Sequence, residues 1–213
     1  MKKLMLAVTV TGLSIVQLNG QGVMKSITER LSGGLKAETN ASNFILSDMP
    51  DAKSKMKIGC TFGGFVKIDL AEHFAIQEDL LISYNTSGLE QNGTESDYES
   101  WSFDLPIYFM GQWDVNNGHK FYFGVGPSVK YGFNATLITG NEEFDLYKKD
   151  PTTDKPTMNR LVVGGATIVG YELKCGLQMN AGYKLGLMNV LDDTKYVSEM
   201  RPGTLTLGVG YRF

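Results

Sequence analysis

Residues 204–213 read TLTLGVGYRF and end the chain. Leu205, Leu207, Val209, Tyr211 and Phe213 fall on one parity, and Thr204, Thr206, Gly208, Gly210 and Arg212 on the other. Successive side chains of a strand point to opposite faces, so the segment has one apolar face and one small or polar face. What lies against the apolar side decides the fold.

Working back from this end, the same period of two marks seven further segments. They cover residues 27–38, 56–69, 74–84, 100–113, 121–133, 161–173 and 175–187. The fifth is the cleanest, with Phe121, Phe123, Val125, Val129, Tyr131 and Phe133 against Tyr122, Gly124, Gly126, Ser128, Lys130 and Gly132. No convincing helical period occurs beyond the amino terminus. The connections alternate in length: long at 39–55, 85–99, 134–158 and 188–201, short at 70–73, 114–120 and near Lys174. The longest, 134–158, carries Pro151 and Pro156 in a polar stretch and reads as a mobile loop.

Residues 1–22 have the make-up of an export signal: Lys2 and Lys3, an apolar run over about 4–18, then small residues. Cleavage is expected after Gly20 or after Gly22, the second fitting the small-x-small rule better, and 23–213 reads as one domain. The apolar run is short of the roughly 20 residues that a spanning helix needs. Mean hydropathy is slightly negative, yet strands that alternate can cross a membrane without raising it. An even number of antiparallel strands, short turns on one side and long loops on the other is the plan of an outer-membrane barrel. The expected fold is therefore an all-β, eight-stranded, antiparallel up-and-down transmembrane barrel. Short turns and both termini would be periplasmic and the long loops extracellular, in the bacterial outer membrane.

Which face meets lipid follows from the other face. It combines many of the 25 glycines with Arg30, Lys36, Lys67, Asp69, Asp79, Asp104, Lys130, Glu172, Lys184 and Arg212. An eight-stranded barrel has an interior just wide enough for side chains, where glycine relieves crowding and charges of both signs pair. On a wetted exterior those glycines would only weaken the strands. The apolar face then points to acyl chains, and Tyr84, Trp101, Trp113, Phe121, Tyr131, Tyr171, Tyr183 and Tyr211 form interfacial girdles. Glu78 falls on the lipid parity of the third segment, facing lipid or displaced by a bulge. The competing arrangement, a periplasmic lipocalin-like barrel with its apolar face inward around a ligand, leaves that charged face without a purpose.

Chemistry is hard to find. The only histidines, His73 and His119, fall in short turns, which leaves a serine–histidine mechanism at the outer rim without a base. The acidic pairs Glu142–Glu143 and Asp192–Asp193, and the group Asp145, Asp150 and Asp154, lack the spacing of a calcium loop. No phosphate-cradling or zinc signature occurs. Cys60 and Cys175 lie on non-neighbouring strands near opposite rims and are expected to remain unbridged. A net charge of −3 argues against a nucleic-acid partner. Catalytic, cofactor and metal residues are all expected to be absent.

The block FVKIDLAEHFAIQEDLLIS at 65–83, the strand FYFGVGPSVKYG at 121–132, the Gly-rich sixth and seventh segments and the GVGYRF end resemble one family. It is that of the Bacteroidota outer-membrane β-barrel domain proteins of PorT-like type. Glu78 stands where that family often has Pro, and Asp79 where it has Glu. The resemblance implies an integral outer-membrane protein, with an accessory part in protein secretion as one alternative. The leading expectation is a closed barrel with a structural or surface-interaction role. Its partners would be outer-membrane lipid, lipopolysaccharide, the barrel-assembly machinery reading Tyr211, Arg212 and Phe213, and an extracellular or secretion partner at the loops. A lipid-modifying enzyme is the least favoured alternative.

Overall fold

The computed structural model describes residues 30–49, 51–115, 117–149, 156–191 and 199–213. The export signal expected over 1–22 lies outside them. Nine strands follow in chain order: β1 (Leu31–Ser47), β2 (Ala52–Ala71), β3 (Phe74–Gln91), β4 (Thr94–Asp114), β5 (Lys120–Thr139), β6 (Glu142–Asp145), β7 (Leu161–Glu172), β8 (Leu177–Gly186) and β9 (Glu199–Arg212). Eight of them close into a ring in sequence order, with β9 returning to β1 and β5 pairing β7. The short β6 folds back on the outer end of β5, from Thr136↔Asp145 to Thr139↔Glu142. Closure runs from Gly34↔Arg212 to Ser47↔Glu199, so the terminal segment is paired along its whole length. Every pairing is antiparallel and no sheet edge is left open in the ring.

Alternation persists as the sequence suggests. Leu207 and Val209 are 66% and 53% exposed on the outside, while Thr204 and Thr206 are buried inside. Ile58, Phe62, Val66, Leu80, Phe109, Phe123, Val169 and Met179 continue the exposed apolar surface around the ring. Glycine is required where the lumen is crowded. A Cβ on Gly34 would overlap both the Phe65 ring and the Tyr211 carbonyl oxygen, because Phe65 lies flat across β1 there. Phe65 is thus an inward aromatic, 3% exposed, on a strand whose neighbouring inward positions are glycine or polar.

The long-loop side differs from expectation. The spans 39–55 and 85–99 are strand for most of their length. β1 runs on to Ser47 and β2 starts at Ala52, while β3 and β4 meet at a two-residue turn, Asn92-Gly93. Both turn residues have positive φ, 52° and 79°, the conformation that Asn-Gly adopts most readily in a tight hairpin. The expected contrast in loop length is therefore a contrast in strand length. β1 to β5 hold 17–21 residues, whereas β7 and β8 hold 12 and 10. One side of the wall stands well above the other. The connection after β5 is also partly built, through β6 and the buried Leu146, rather than a mobile loop throughout.

Candidate functional site

The lumen is filled in layers, each set by inward positions at the same height on several strands. At the short-turn rim, Lys67 donates to Gln112 Oε1 at 2.6 Å and sits 3.4 Å from Asp69. Gln112 Nε2 in turn donates to Asp69 Oδ1 at 2.9 Å. On the other side of that rim Glu172 accepts from Arg212 Nε at 2.9 Å and from Gln178 Nε2 at 2.7 Å. The side chains of Asp69 and Arg212 are about one-third exposed, so these two face the rim water.

Above them Lys36 bridges Asp79 Oδ2 at 2.9 Å and Glu38 Oε1 at 3.0 Å, while Gln77 satisfies the other Asp79 oxygen at 2.7 Å. Asp79 is 0% and Lys36 5% exposed. Tyr108, Met110, Tyr122 and Ile168 pack as an apolar wedge inside the barrel.

The next layer is a chain of donors running round the ring. Asn40 Nδ2 donates to Thr61 Oγ1 at 2.9 Å, Thr61 to Ser83 Oγ at 3.0 Å, and Ser83 to Asp104 Oδ2 at 2.9 Å. Lys184 Nζ reaches the same Asp104 oxygen at 2.9 Å and Ser102 the other at 3.0 Å. Asp104 thus ties β3 and β4 to β8 across the lumen.

At the long-strand end, apolar residues cluster among the described residues. Phe44, Tyr98, Ala135 and Val162 from the wall meet Leu146, Met158, Val190, Leu191 and Met200. Backbone bonds hold the cap: Met158 N donates to Leu146 O at 3.1 Å and Val190 N to Met200 O at 2.9 Å. Phe44 meets Tyr98 edge-on at 4.9 Å. Burial pushes the Tyr98 hydroxyl up to about 12 and the Tyr147 hydroxyl well above the usual phenol range. Arg160 stacks on Tyr147 with its guanidinium carbon 4.6 Å from the ring centre.

Two members of the expected charge cluster sit differently. Arg30 precedes β1 and is exposed rather than enclosed. Lys130 faces inward opposite Asp104 in the β4–β5 register; it makes no direct hydrogen bond with a described residue, and its charge acts on Asp104 beside that of Lys184. The neutral partners Gln77, Gln112, Gln178, Thr61 and Ser83, together with Glu38, are members that charge alone does not single out. Parity would have found Glu38, two residues from Lys36.

The outside aromatics fall at two heights. Tyr84 packs on Trp101 at 5.1 Å, and Trp113 on Phe121 at 6.1 Å. Trp101 and Trp113 are twelve residues apart on β4. At about 3.3 Å per residue and a tilt near 40° that is about 30 Å of height. Tyr171 stacks on His119 at the short-turn end, Tyr211 is exposed at the same end, and Tyr131 and Tyr183 are part-exposed on the outer face. Beyond Tyr84 the outward face turns charged, with Lys55 bridging Glu90 at 3.1 Å and Glu95 at 2.6 Å, and Lys57 bridging Asp97 at 2.6 Å. The Lys55 hydrogen bond holds the Glu95 carboxyl below the usual carboxylate range.

Histidines and cysteines do not gather into a site. His73 Nδ1 lies 3.2 Å from Gln112 O at the short-turn rim. Cys60 is free and exposed on β2, and Cys175 is free and exposed in the turn before β8. Asp150, Asp154, Asp192 and Asp193 lie outside the described residues.

Outward grease, a filled polar lumen and a closed eight-strand ring define a transmembrane β-barrel. Residues 19–192 match the family model described as outer membrane protein beta-barrel domain, and the chain belongs to that family. Its place is the bacterial outer membrane. No curated protein sequence matches it significantly. Solved structures of similar fold include OprG from Pseudomonas aeruginosa, 11% identical over 86% of this chain and 94% of that one, with a TM-score of 0.51. Neisserial surface protein A is 14% identical over 85% and 97%, with a TM-score of 0.46. Ail, the attachment invasion locus protein of Yersinia pestis, is 14% identical over 85% and 98%, with a TM-score of 0.40. At these identities the likeness concerns the fold.

Glu78 stays on the outward face, paired in unbroken register with Val66 and Ile107. It sits four residues from the Phe74 end of β3, about 10 Å above the rim at the usual rise and tilt. An acidic group on the lipid side costs less than Arg or Lys at mid-depth. Glu78→Leu should therefore stabilise the protein by about 1 kcal/mol, read from urea unfolding in phospholipid vesicles.

Proposed function

We propose that this protein is a closed, non-catalytic outer-membrane barrel that acts through its outer surface, in a structural or surface-interaction role. The observation that carries this is the continuity of the lumen filling. From Asp69 and Arg212 at one rim through Asp104 to the Phe44–Tyr98 cap, inward side chains bond or pack in successive layers, with a void of about 30 Å³ below the cap. Charges so paired lock the wall rather than serve a reaction. The tall, ion-paired face of the β2–β3–β4 hairpins stands above the Tyr84–Trp101 level, at the height of lipopolysaccharide headgroups when the long-strand end faces outward. In that orientation both termini are periplasmic, the aromatic girdles lie at the two interfaces, and Tyr211, Arg212 and Phe213 present the end read by the assembly machinery.

The test is electrical. Purified protein inserted into planar bilayers should give no discrete ion-conducting steps. Regular steps, blocked by bulky solutes, would mean an open channel and end the closed-lumen reading. On the strength of residues 65–83 and 121–132 we place the chain with PorT-like proteins. That placement makes an accessory part in protein secretion the second reading.

A further inference from the structure

Glu78 stands at mid-depth on the lipid face. Its register partner Ile107 is six residues from Trp101 and six from Trp113, so about 15 Å of height separates it from each aromatic level. Val66, Leu80 and Phe109 lie around it, each about half exposed. Among the described residues no other carboxylate faces outward between those two levels. Local stability gives no reason for an acid here, since Glu78→Leu is expected to be the more stable. An ionisable side chain within the apolar span is ordinarily met by a partner.

The backbone beside Glu78 is short of donors too. The β3–β4 register is interrupted between Glu78↔Ile107 and Leu81↔Asp104, a stretch that sets Pro106 against Asp79. The β4–β5 register is interrupted between Pro106↔Ser128 and Phe109↔Val125, which sets Pro127 against Ile107. Proline has no N–H to give to a ladder. The Leu80 carbonyl points to β2, where a Cβ on Gly63 would strike it. Successive carbonyls of a strand point to opposite neighbours, so that of Asp79 points to β4 and meets Pro106. The Ile107 carbonyl points to β5, against Gly126, and meets Pro127. Neither carbonyl can receive an N–H from the residue opposite. Pro127 is exposed on the outward face, so this second gap borders the lipid, where an unanswered backbone group is costly.

The Glu78 carboxylate and the Asp79 and Ile107 carbonyls thus form a group of acceptors with no donor among them. A second copy of this chain would bring the same acceptors to the same depth, because copies related by an axis along the membrane normal share their heights. Complementarity favours a different chain, one that carries donors. We propose that the lipid face of β3, β4 and β5 around Glu78 is a docking surface for a membrane-spanning segment of another protein, one that places a lysine or arginine at mid-depth. The basic group pairs with the Glu78 carboxylate, while the apolar residues on either side of it pack on Val66, Leu80 and Phe109. Far from water, such a pair is weakly screened. The proposal deepens the surface-interaction reading. It depends on the apolar face meeting lipid and not on a closed lumen, so its failure would leave the conductance result standing.

The probe is a synthetic leucine–alanine helix of about 20 residues, with lysine at its centre and a dansyl group at one end. Full-length protein in phospholipid vesicles is titrated with it, and energy transfer is read from the two tryptophans, Trp101 and Trp113, both on β4. Half-saturation should come at about tenfold less of this helix than of a leucine-centred one, the scale of one polar contact within a bilayer. A glutamate-centred helix should bind weakest of the three. Glu78→Gln keeps the size of the side chain and should erase the difference between the lysine- and leucine-centred helices. Equal half-saturation for those two on the wild type, or a lysine preference unchanged in Glu78→Gln, would overturn the proposal. Self-association of the wild type without peptide, lost in Glu78→Gln, would assign the surface to a second copy and overturn it equally.

Discussion

Replacing Asp104 with alanine will destabilise the barrel by about 3–5 kcal/mol, the range for removing one member of a buried ion pair. The carboxylate is 2% exposed and takes Lys184, Ser83 and Ser102 at 2.9–3.0 Å. Its loss strands the Lys184 ammonium in the lumen and breaks the donor chain that starts at Asn40. Asp104→Asn keeps the shape and one acceptor but not the charge, and should retain a minor part of the stability. Combining Asp104→Ala with Lys184→Met removes the hydrogen-bonded pair and should recover part of the loss, the remainder being the cost of Lys130, which then lacks the Asp104 charge. Urea titration in vesicles, followed through Trp101 and Trp113, measures all three. If Asp104→Ala were neutral while Lys184 stayed in place, the ion pair would have no part in holding β8 to β4.

The second large effect lies on the opposite face. Leu207 is 66% exposed between Thr39 and Ala181, and it stands five residues from the Arg212 end of β9. At the usual rise and tilt that places it about 13 Å above the rim, close to mid-bilayer. Leu207→Arg should therefore cost about 2–4 kcal/mol, the range measured for a basic side chain at the midplane of a barrel's lipid face. The same change at Leu35 or Tyr211, nearer the rim, should cost about 0–1 kcal/mol. On a water-facing surface all three would be close to neutral. The gradient with depth is thus more telling than any single value.

The ring and its polarity were legible because burial imposes period two on both faces at once. TLTLGVGYRF and FYFGVGPSVKYG carry that contrast without interruption, and each runs the full height of the apolar band. The upper hairpins were hidden for the converse reason. Above Tyr84 and Trp101 the outward face becomes Lys55, Lys57, Glu90, Glu95 and Asp97 while the inward face keeps serines such as Ser54, Ser87 and Ser100. With both faces polar, alternation vanishes although the backbone ladder continues. The turn itself was written in Asn92-Gly93, a hairpin signal that outweighs the missing period.

The outer cap had no such signature. Leu146 and Met158 are single apolar residues in polar stretches, and Val190–Leu191 is a pair too short to carry a period; only the closure of the ring joins them. The charged members of the lumen network and their glutamine, serine and threonine partners share one inward parity, but which of them bond to one another follows from the register between strands, which parity does not give. Lys130 is one case: parity places it inward, and only the register sets it opposite Asp104, which it shares with Lys184.

The most direct test is a spin-label scan of β9 in vesicles, with Cys60 and Cys175 first changed to serine and single cysteines placed at 204–211. Collision with dissolved oxygen reports acyl chains, and collision with a water-soluble nickel chelate reports solvent. Labels at 205, 207 and 209 should collide freely with oxygen and hardly with nickel, with oxygen access greatest at 207, while labels at 204, 206 and 208 should be shielded from both. Nickel access at 205, 207 and 209, or an oxygen maximum at the threonine positions, would contradict a barrel that turns its apolar face to lipid.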